Sequence, residues 1–367
     1  MLATSGVVAV EALDPDSPDR GVAAHYGDPM REQRLLATAA GVVDRGNRGV
    51  LAIPGDDRLT WLHSLTTQHL SGLAPMSGTE LLVLSPHGHV EHHAVVLDDG
   101  TTTFLDVEPG TAGGLLDFLA RMRFLLRVEP ADVTDTRAVL SVVGPSSVEA
   151  VARLGVPALD PPMVAAVPGP KFPGGSVAAH ATARYAVAPV TAAPLSAARG
   201  GYARRMPYGV DLLVPRAAAA DVVDALGVPL AGVWAFEALR VAERRPRLGR
   251  DTDHRTLPAE VGWLAEAVHL DKGCYRGQET VSRVHNLGRP PRRLVLLHLD
   301  GITTDELPAQ GTPVTTDDGR QVGAIGSAAR HYELGPVALA VVKRSVADDA
   351  RLHVGASVAT IDPGEPE

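Results

Sequence analysis

The sequence predicts an α+β protein whose chain ends in a small β-barrel. Three observations support this prediction: 367 residues are too many for one ordinary core, helix and strand patterns alternate through residues 29–289, and only short strands and turns follow in 290–360. Apolar residues make up 45% of the chain and aromatic residues 4%, so small aliphatic side chains must fill most of the core.

The first segment and the start of the core differ in composition. Residues 1–28 are rich in Asp, Pro and Gly, and we expect a loosely ordered lead-in there. The core then opens with a strand at 50–53, which Pro54–Gly55 ends. A helix follows, because leucines recur every third residue and form one apolar stripe, Leu59, Leu62 and Leu65.

A second strand–turn–helix unit repeats the first. The segment "RAVLSVVG" (137–144) echoes "RGVLAIPG" (48–55), and the two lie 89 positions apart. Between them the pattern predicts strands at 80–85 and 89–107 and a helix at 115–126. A duplicated βα unit is the simplest cause of this repeat.

The remaining core leads into an all-β region. A loop-rich stretch at 155–200 precedes a strand at 208–215 and helices at 216–227 and 232–246, of which the second is stopped by Pro246. Beyond residue 290 we expect a compact barrel or sandwich.

Charge and cysteine content limit the classes of partner. The formal net charge is −9 and the pI about 5.9, which argues against a broad nucleic-acid surface. One cysteine excludes an intramolecular disulfide and fits a reducing compartment. No apolar run approaches the roughly 20 residues of a membrane span, and no basic region precedes an apolar stretch as in a signal peptide. We therefore expect a cytoplasmic protein without membrane or direct nucleic-acid partners.

The only cysteine of the chain, Cys274, lies in the segment "DKGCYRGQETVSR" (271–283). Gly273 and Gly277 flank it closely. Glycines allow positive φ and a close approach of the backbone to a ligand. This segment is therefore the first candidate for a functional site.

Two cations near Cys274, Lys272 and Arg276, favour a reactive thiolate. Such a thiol is a nucleophile, a redox-sensitive group or a soft metal ligand. One thiolate alone cannot hold zinc or an iron–sulfur cluster, because these need about four ligands. The alternative is a buried cysteine that packs as a small hydrophobe.

The segment "KGCYRGQE" (272–279) resembles the signature K-G-C-Y-x-G-Q-E of the YgfZ-type folate-binding proteins, which are relatives of the glycine-cleavage T-protein, an aminomethyltransferase. Every fixed position of the signature is present, and the resemblance extends over roughly residues 30–360. The signature residues around Cys274 are Lys272, Gly273, Tyr275, Arg276, Gly277, Gln278 and Glu279.

The resemblance implies a folate-binding α+β core with duplicated βα elements around a central channel, plus the C-terminal barrel. It implies tetrahydrofolate or a derivative as cofactor. Arg240 stands where the family's helix carries its L-R arginine, and we expect it to face the anionic glutamyl tail. Asp211 stands where the family's strand carries Glu, and a carboxylate there can bind the edge of the pterin. The alternatives are a solvated helix arginine and a capped or exposed strand carboxylate.

One segment departs from the T-protein pattern. The T-protein has two aspartates where "GHVEHH" (88–93) has His92 and His93, which argues against the aminomethyl transfer reaction. Alternation along a strand would also place His87, His89, Glu91 and His93 on one face. That row is either a metal site or, more commonly, a solvated hairpin face; we assign no metal ligand.

The resemblance implies a folate-binding accessory factor for the assembly or repair of iron–sulfur clusters, with Cys274 as the functional thiol. Its partners would be iron–sulfur client or assembly proteins, and we expect its loss to lower 4Fe–4S enzyme activities under oxidative stress. The acidic pI indicates that any effect on tRNA thiolation is indirect. Two alternatives stay open: a tetrahydrofolate-dependent one-carbon transferase, and a non-catalytic folate-binding scaffold in which Cys274 is only structural.

Overall fold

A computed structural model describes residues 6–163, 183–193, 195, 200–287, 289–301 and 306–363. It shows an α+β fold in which an 11-stranded sheet forms the centre of the core and a closed six-stranded barrel forms the C-terminal part. The predicted fold class is confirmed.

The strands outside the barrel alternate with short helices. These strands are β1 (Val8–Ala9), β2 (Ala23–His25), β3 (Gly41–Asp44), β4 (Gly49–Pro54), β5 (Ser77–Leu84), β6 (Val90–Asp98), β7 (Thr102–Val107), β8 (Ala131–Asp132), β9 (Arg137–Val143), β10 (Tyr185–Pro189), β11 (Tyr202–Met206), β12 (Gly209–Pro215) and β13 (Leu230–Ala231). The barrel strands are β14 (Arg292–Leu299), β15 (Pro313–Thr316), β16 (Gln321–His331), β17 (Gly335–Lys343), β18 (Arg351–Val354) and β19 (Ser357–Ile361). The α-helices are α1 (Val10–Leu13), α2 (Pro29–Thr38), α3 (Arg58–Leu65), α4 (Ala112–Met122), α5 (Ser147–Ala152), α6 (Ala219–Leu226), α7 (Val233–Ala242), α8 (Trp263–Ala267) and α9 (Gln278–Leu287).

The two repeated segments form equivalent corners in the sheet. The strand order is β13-β3-β9-β12-β11-β10-β5-β6-β7-β4-β8, so the two repeated strands, β4 and β9, lie towards opposite ends. Each strand leads to a short helix through a glycine of positive φ, +123° at Gly55 and +118° at Gly144. A Cβ atom would lie 1.9 Å from the carbonyl oxygen of Arg127 at the first corner and 2.4 Å from that of Ala39 at the second. Only glycine fits either corner.

The first segment is more ordered than its composition predicts. Residues 6–28 contain β1, α1 and β2, so the expectation of a loosely ordered lead-in is wrong for this part. Val10 and Val22 pack against Val233 of α7. Asp19 accepts two hydrogen bonds from Arg247, at 2.8 and 2.9 Å. An apolar contact and a buried ion pair thus hold a segment that has little hydrophobic pattern of its own.

Two helices differ from their predicted bounds. Helix α4 begins at Ala112, three residues before the predicted 115–126, and ends at Met122. Helix α7 ends at Ala242, well before Pro246, because Arg244 adopts a positive φ of 54° that no α-helix accommodates. This early stop turns the chain after α7 toward the interior of the core.

A buried aspartate joins the barrel to the core. Asp251 accepts hydrogen bonds from Arg240 of α7 at 3.0 Å and from the backbone and side chain of Ser327 in β16 at 2.7 and 3.1 Å. Its side chain is 0% exposed.

No helix of the described residues is long and apolar enough to cross a membrane.

Candidate functional site

The core contains a cavity of about 370 Å³ between the large sheet and helices α2, α7 and α8. A cavity of this size accommodates one small organic ligand. Its lining combines apolar and aromatic side chains, such as Trp263 of α8, with titratable ones from several elements. The titratable residues include Glu80 (β5), His93 (β6), Asp106 (β7), Asp211 (β12), Arg240 (α7), Arg245 (after α7) and Glu266 (α8).

Buried ion pairs form one wall of the cavity. Arg48 binds Asp106 and Glu108, both at 2.7 Å, and Arg247 binds Glu108 at 2.7 Å. Burial opposes ionisation of Asp106, but the charges of Arg204 and Arg48 outweigh it and lower the pKa of this carboxyl to about 2. These carboxylates are therefore charged at neutral pH, and their guanidinium partners fix their positions.

Asp211, the predicted pterin-binding carboxylate, lines this cavity from β12. It accepts hydrogen bonds from the hydroxyls of Ser141 and Tyr208 at 2.6 and 2.8 Å, and from Arg204 at 3.0 Å. A carboxylate offers about four acceptor positions, so one remains for a ligand. Because Asp211 is buried, the alternative of an exposed strand carboxylate is excluded. Its contact with a ligand stays a prediction.

Arg240, the predicted ligand-facing cation, also lines the cavity, and its N–H groups are engaged within the protein. Nε and Nη2 donate to Glu237 at 3.0 and 2.8 Å. Nη1 donates to Asp251 and to the carbonyl of Arg245, and Nη2 also donates to Ser327. All five N–H groups have acceptors, and burial excludes the solvated alternative. A contact with a glutamyl tail stays a prediction that requires Arg240 to give up one of these bonds.

Arg245 and Glu266 keep hydrogen-bonding positions open. In the described part of the chain, the Arg245 guanidinium donates no hydrogen bond; its nearest carboxylate oxygens are 3.7 Å away on Glu266 and 3.9 Å away on Glu80. Burial and the negative charge of Glu80 raise the pKa of Glu266 to about 7. Glu266 therefore changes charge near neutrality and can donate or accept a hydrogen bond.

His93, which the resemblance aligns with one of the two T-protein aspartates, lines the cavity. Its Nε2 lies 2.7 Å from the carboxylate of Glu80, and its ring stacks on Trp263 at 4.7 Å between centroids. The Tyr185 hydroxyl donates to the other oxygen of Glu80 at 2.5 Å. Burial opposes ionisation of Glu80, but the hydrogen bond from His93 and nearby positive charge lower its pKa to about 2.

The other histidines of the segment lie elsewhere. His92 packs against Phe118 at 6.3 Å between ring centroids, and burial lowers its pKa. Glu91 pairs with Arg276 on the surface, whereas His93 is buried. The side chains predicted to share one face of the strand therefore lie in two different environments. Among the described residues, no three His, Cys, Asp or Glu side chains could together hold a metal ion.

Cys274 is exposed and is absent from the described lining of the cavity. The alternative of a buried, packing cysteine is therefore excluded. The two cations near Cys274 in sequence, Lys272 and Arg276, bind oxygen atoms of other residues. Lys272 donates to the carbonyl oxygens of Thr66 and Gln68 at 2.5 and 3.1 Å and to that of His63. Burial lowers the pKa of Lys272 to about 8.

The remaining signature residues hold the loop against the core. Tyr275 packs in the same apolar cluster as Trp263. Gly277 has a φ of +81°, and a Cβ there would lie 2.6 Å from the carbonyl oxygen of Ser85. Gln278 donates to the carbonyl of Lys272 at 3.2 Å. Glu279 is exposed at the start of α9, and Arg276 pairs with Glu91 as described.

Sequence reasoning did not identify four of the cavity residues. Arg245 was visible only as part of the basic run "RRPR" (244–247), and Glu266 as an isolated acid in an apolar segment. Glu80 opens the apolar run of β5 and Trp263 is one of three tryptophans. An acid inside a buried strand is costly without a partner, and that cost is the signal that could have identified Glu80.

Comparison with known proteins agrees with this architecture. No protein-family model matches the chain. An Arabidopsis thaliana chloroplastic protein named "putative transferase" is 25% identical over 293 residues, which cover 78% of this chain and 61% of that relative. The chain thus spans less than two thirds of that relative's length. An aminomethyltransferase of Chlorobium chlorochromatii is 24% identical over 310 residues, 82% of this chain and 78% of the relative.

A solved structure gives the fold. The glycine cleavage system aminomethyltransferase T from Bartonella henselae matches with a TM-score of 0.69 and 16% identity, over 90% of this chain and 87% of that chain. The chain therefore has the fold of the aminomethyltransferases, including the C-terminal antiparallel barrel, and its relatives are aminomethyltransferase-like proteins.

Proposed function

We propose that the chain binds tetrahydrofolate or a derivative in the central cavity. The observation that carries this proposal is the cavity of about 370 Å³ in a fold shared with aminomethyltransferase T. Its volume lies in the range of small-molecule sites, roughly 300–1,000 Å³. Its polar groups suit a folate, because the pterin edge needs a carboxylate and the glutamyl tail needs a cation.

Three side chains carry the expected contacts. Asp211 has one acceptor position left, and Glu266 has a carboxyl group without a short hydrogen bond in the described chain. Arg245 is the cation whose N–H groups are uncommitted there. Arg245 is therefore better placed than Arg240 to bind the tail, because it gives up no existing hydrogen bond.

We expect Asp211→Asn to weaken binding of tetrahydrofolate by about tenfold or more, since a charge-assisted hydrogen bond contributes about 1.5–3 kcal/mol. Anaerobic calorimetry measures this, with Asp224→Asn as the matched control on the exposed face of α6. Equal affinity in both variants would remove Asp211 from the site. Absence of tetrahydrofolate binding by the unaltered chain would refute the proposed ligand.

We further propose that the folate-bound protein acts in the assembly or repair of iron–sulfur clusters, with Cys274 as the functional thiol. Exposure of Cys274, outside the cavity lining, supports a thiol that serves a partner protein. Lys272, Tyr275 and Gly277 anchor the loop, which supports a fixed presentation of the thiol.

Cys274→Ser is expected to leave tetrahydrofolate affinity within about twofold of the unaltered chain, because the thiol is outside the cavity lining. In cells that depend on this protein, we expect the same variant to lower the activity of 4Fe–4S enzymes under oxidative stress. Arg283→Gln, at an exposed position of α9 outside the signature, serves as the control. Normal enzyme activities with Cys274→Ser would refute the role of the thiol.

A folate-dependent one-carbon transferase is the second candidate. The observation that favours it is His93, which faces the cavity in a hydrogen bond with Glu80 and so offers acid–base chemistry at the position of a lost aspartate. Turnover of labelled methylene-tetrahydrofolate with amine acceptors would distinguish it from a binding role.

A further inference from the structure

We propose that His93 is an acid–base residue that exchanges a proton with the ligand in the cavity, and that Glu80 and Tyr185 hold it in the required orientation. The inference deepens the proposed function and rests on a ligand occupying this cavity. It is carried by the arrangement of five side chains from five different parts of the chain: Glu80, His93, Tyr185, Arg245 and Trp263.

The hydrogen bonds of Glu80 determine which nitrogen of His93 carries the proton. An ionised carboxylate only accepts hydrogen bonds, and the hydrogen bonds from His93 and Tyr185 together with the charge of Arg245 favour the ionised form of Glu80. Tyr185 fills one oxygen as a donor at 2.5 Å, and burial holds the pKa of Tyr185 well above its usual value. The Nε2 of His93, 2.7 Å from the other oxygen, must therefore be the N–H donor.

The opposite nitrogen is left for the ligand. In a neutral imidazole whose Nε2 carries the hydrogen, Nδ1 is an acceptor. No hydrogen bond to Nδ1 of His93 is made by the described residues, and the side chain lines the cavity. A ligand N–H or O–H that reaches Nδ1 thus meets a lone pair rather than a second donor.

Proton transfer at this site balances without a further reactant. The ligand N–H or O–H bond breaks, an N–H bond forms at Nδ1 of His93, and the electron pair stays on the ligand atom. The resulting imidazolium is paired with Glu80 and stacked on Trp263, both of which stabilise positive charge. The reverse transfer restores the neutral ring.

Several charged groups surround His93. Glu80 of β5 is the nearest, and both Tyr185 of β10 and Arg245 approach Glu80, Arg245 at 3.9 Å. Glu266 of α8 contributes a carboxyl group whose pKa of about 7 means that its charge changes near neutrality.

The first measurement needs no ligand. Long-range ¹H–¹⁵N spectra of the histidine rings, assigned with His93→Gln, are expected to show the neutral ring of His93 with its hydrogen on Nε2. A neutral ring that carries its hydrogen on Nδ1 overturns the proposal.

The second measurement uses tetrahydrofolate as the probe, titrated anaerobically by calorimetry in buffers of different ionisation enthalpy. We expect binding to be accompanied by a change in bound protons that is lost in His93→Gln and kept in His92→Gln, the adjacent control. Folate binding with the same proton change in both variants, or with none in the unaltered chain, overturns the acid–base role. Failure of tetrahydrofolate to bind refutes the proposed ligand instead, and the ring spectra then decide the assignment of His93.

Discussion

Asp251→Ala is expected to lower the free energy of unfolding by about 3–5 kcal/mol, the usual cost of removing one partner from a buried ion pair. Asp251 accepts hydrogen bonds from Arg240, from the backbone of Arg247 and from Ser327. Its loss leaves buried donors in α7, in the turn after it and in β16 without an acceptor. The barrel and the core lose one of their shared polar contacts, a fully buried one.

An exposed aspartate of the barrel provides the control for this variant. Asp348 pairs with Arg293 at 2.5 Å, but its side chain is 66% exposed. We expect Asp348→Ala to cost less than about 1 kcal/mol, as for other exposed ion pairs. Urea denaturation of both variants measures the difference. Similar losses for Asp251→Ala and Asp348→Ala would contradict the role of the buried bond.

Glu266→Gln is expected to remove a pH dependence of stability that amounts to about 2–3 kcal/mol between pH 4.5 and 7. In the folded chain the pKa of Glu266 is about 7, against 4.5 for an ordinary glutamate. Over this range the folded chain binds a proton that the unfolded chain has released. The contribution of Glu266 is therefore present in full below pH 4.5 and is lost as the pH rises through 7.

Denaturation of the unaltered chain and of Glu266→Gln at half-unit steps from pH 5 to 8 tests this. The difference in free energy of unfolding between the two should change in favour of the glutamine variant as the pH rises, because a neutral amide avoids the cost of burying a charged carboxylate and the repulsion from Glu80. Glu149→Gln, on an exposed turn of α5, should show a nearly constant difference. A constant difference for Glu266→Gln as well would show that its carboxyl group is not perturbed.

Local sequence patterns predicted much of the fold. Strand β4 and helix α3 follow from one apolar run and one leucine stripe, and the change of composition near residue 290 marks the barrel. These features depend on neighbours in sequence, which periodicity detects. The first segment was mispredicted because its order comes from Asp19 pairing with Arg247, more than 200 positions away.

The candidate site was predicted only in part for the same reason. Asp211 and Arg240 were located through the resemblance, and both line the cavity. No pattern in one sequence shows that the five N–H groups of Arg240 already have acceptors within the protein. Nor does it show that His93 of β6 forms a hydrogen bond with Glu80 of the adjacent strand β5. The packed core determines which side chains keep an open hydrogen-bonding position. The roles of Arg245 and Glu266 follow from such open positions.

The duplicated glycine corners also give the chain an internal standard of comparison. The two copies share one backbone geometry, so the residue at any position where they differ is not determined by that geometry. In the fifth position of the repeat one copy has Ala52 and the other Ser141, and Ser141 donates to Asp211 at the cavity. Ser141 therefore gives the second copy a hydrogen bond to a cavity carboxylate, a contact that the methyl group of Ala52 cannot make in the first copy.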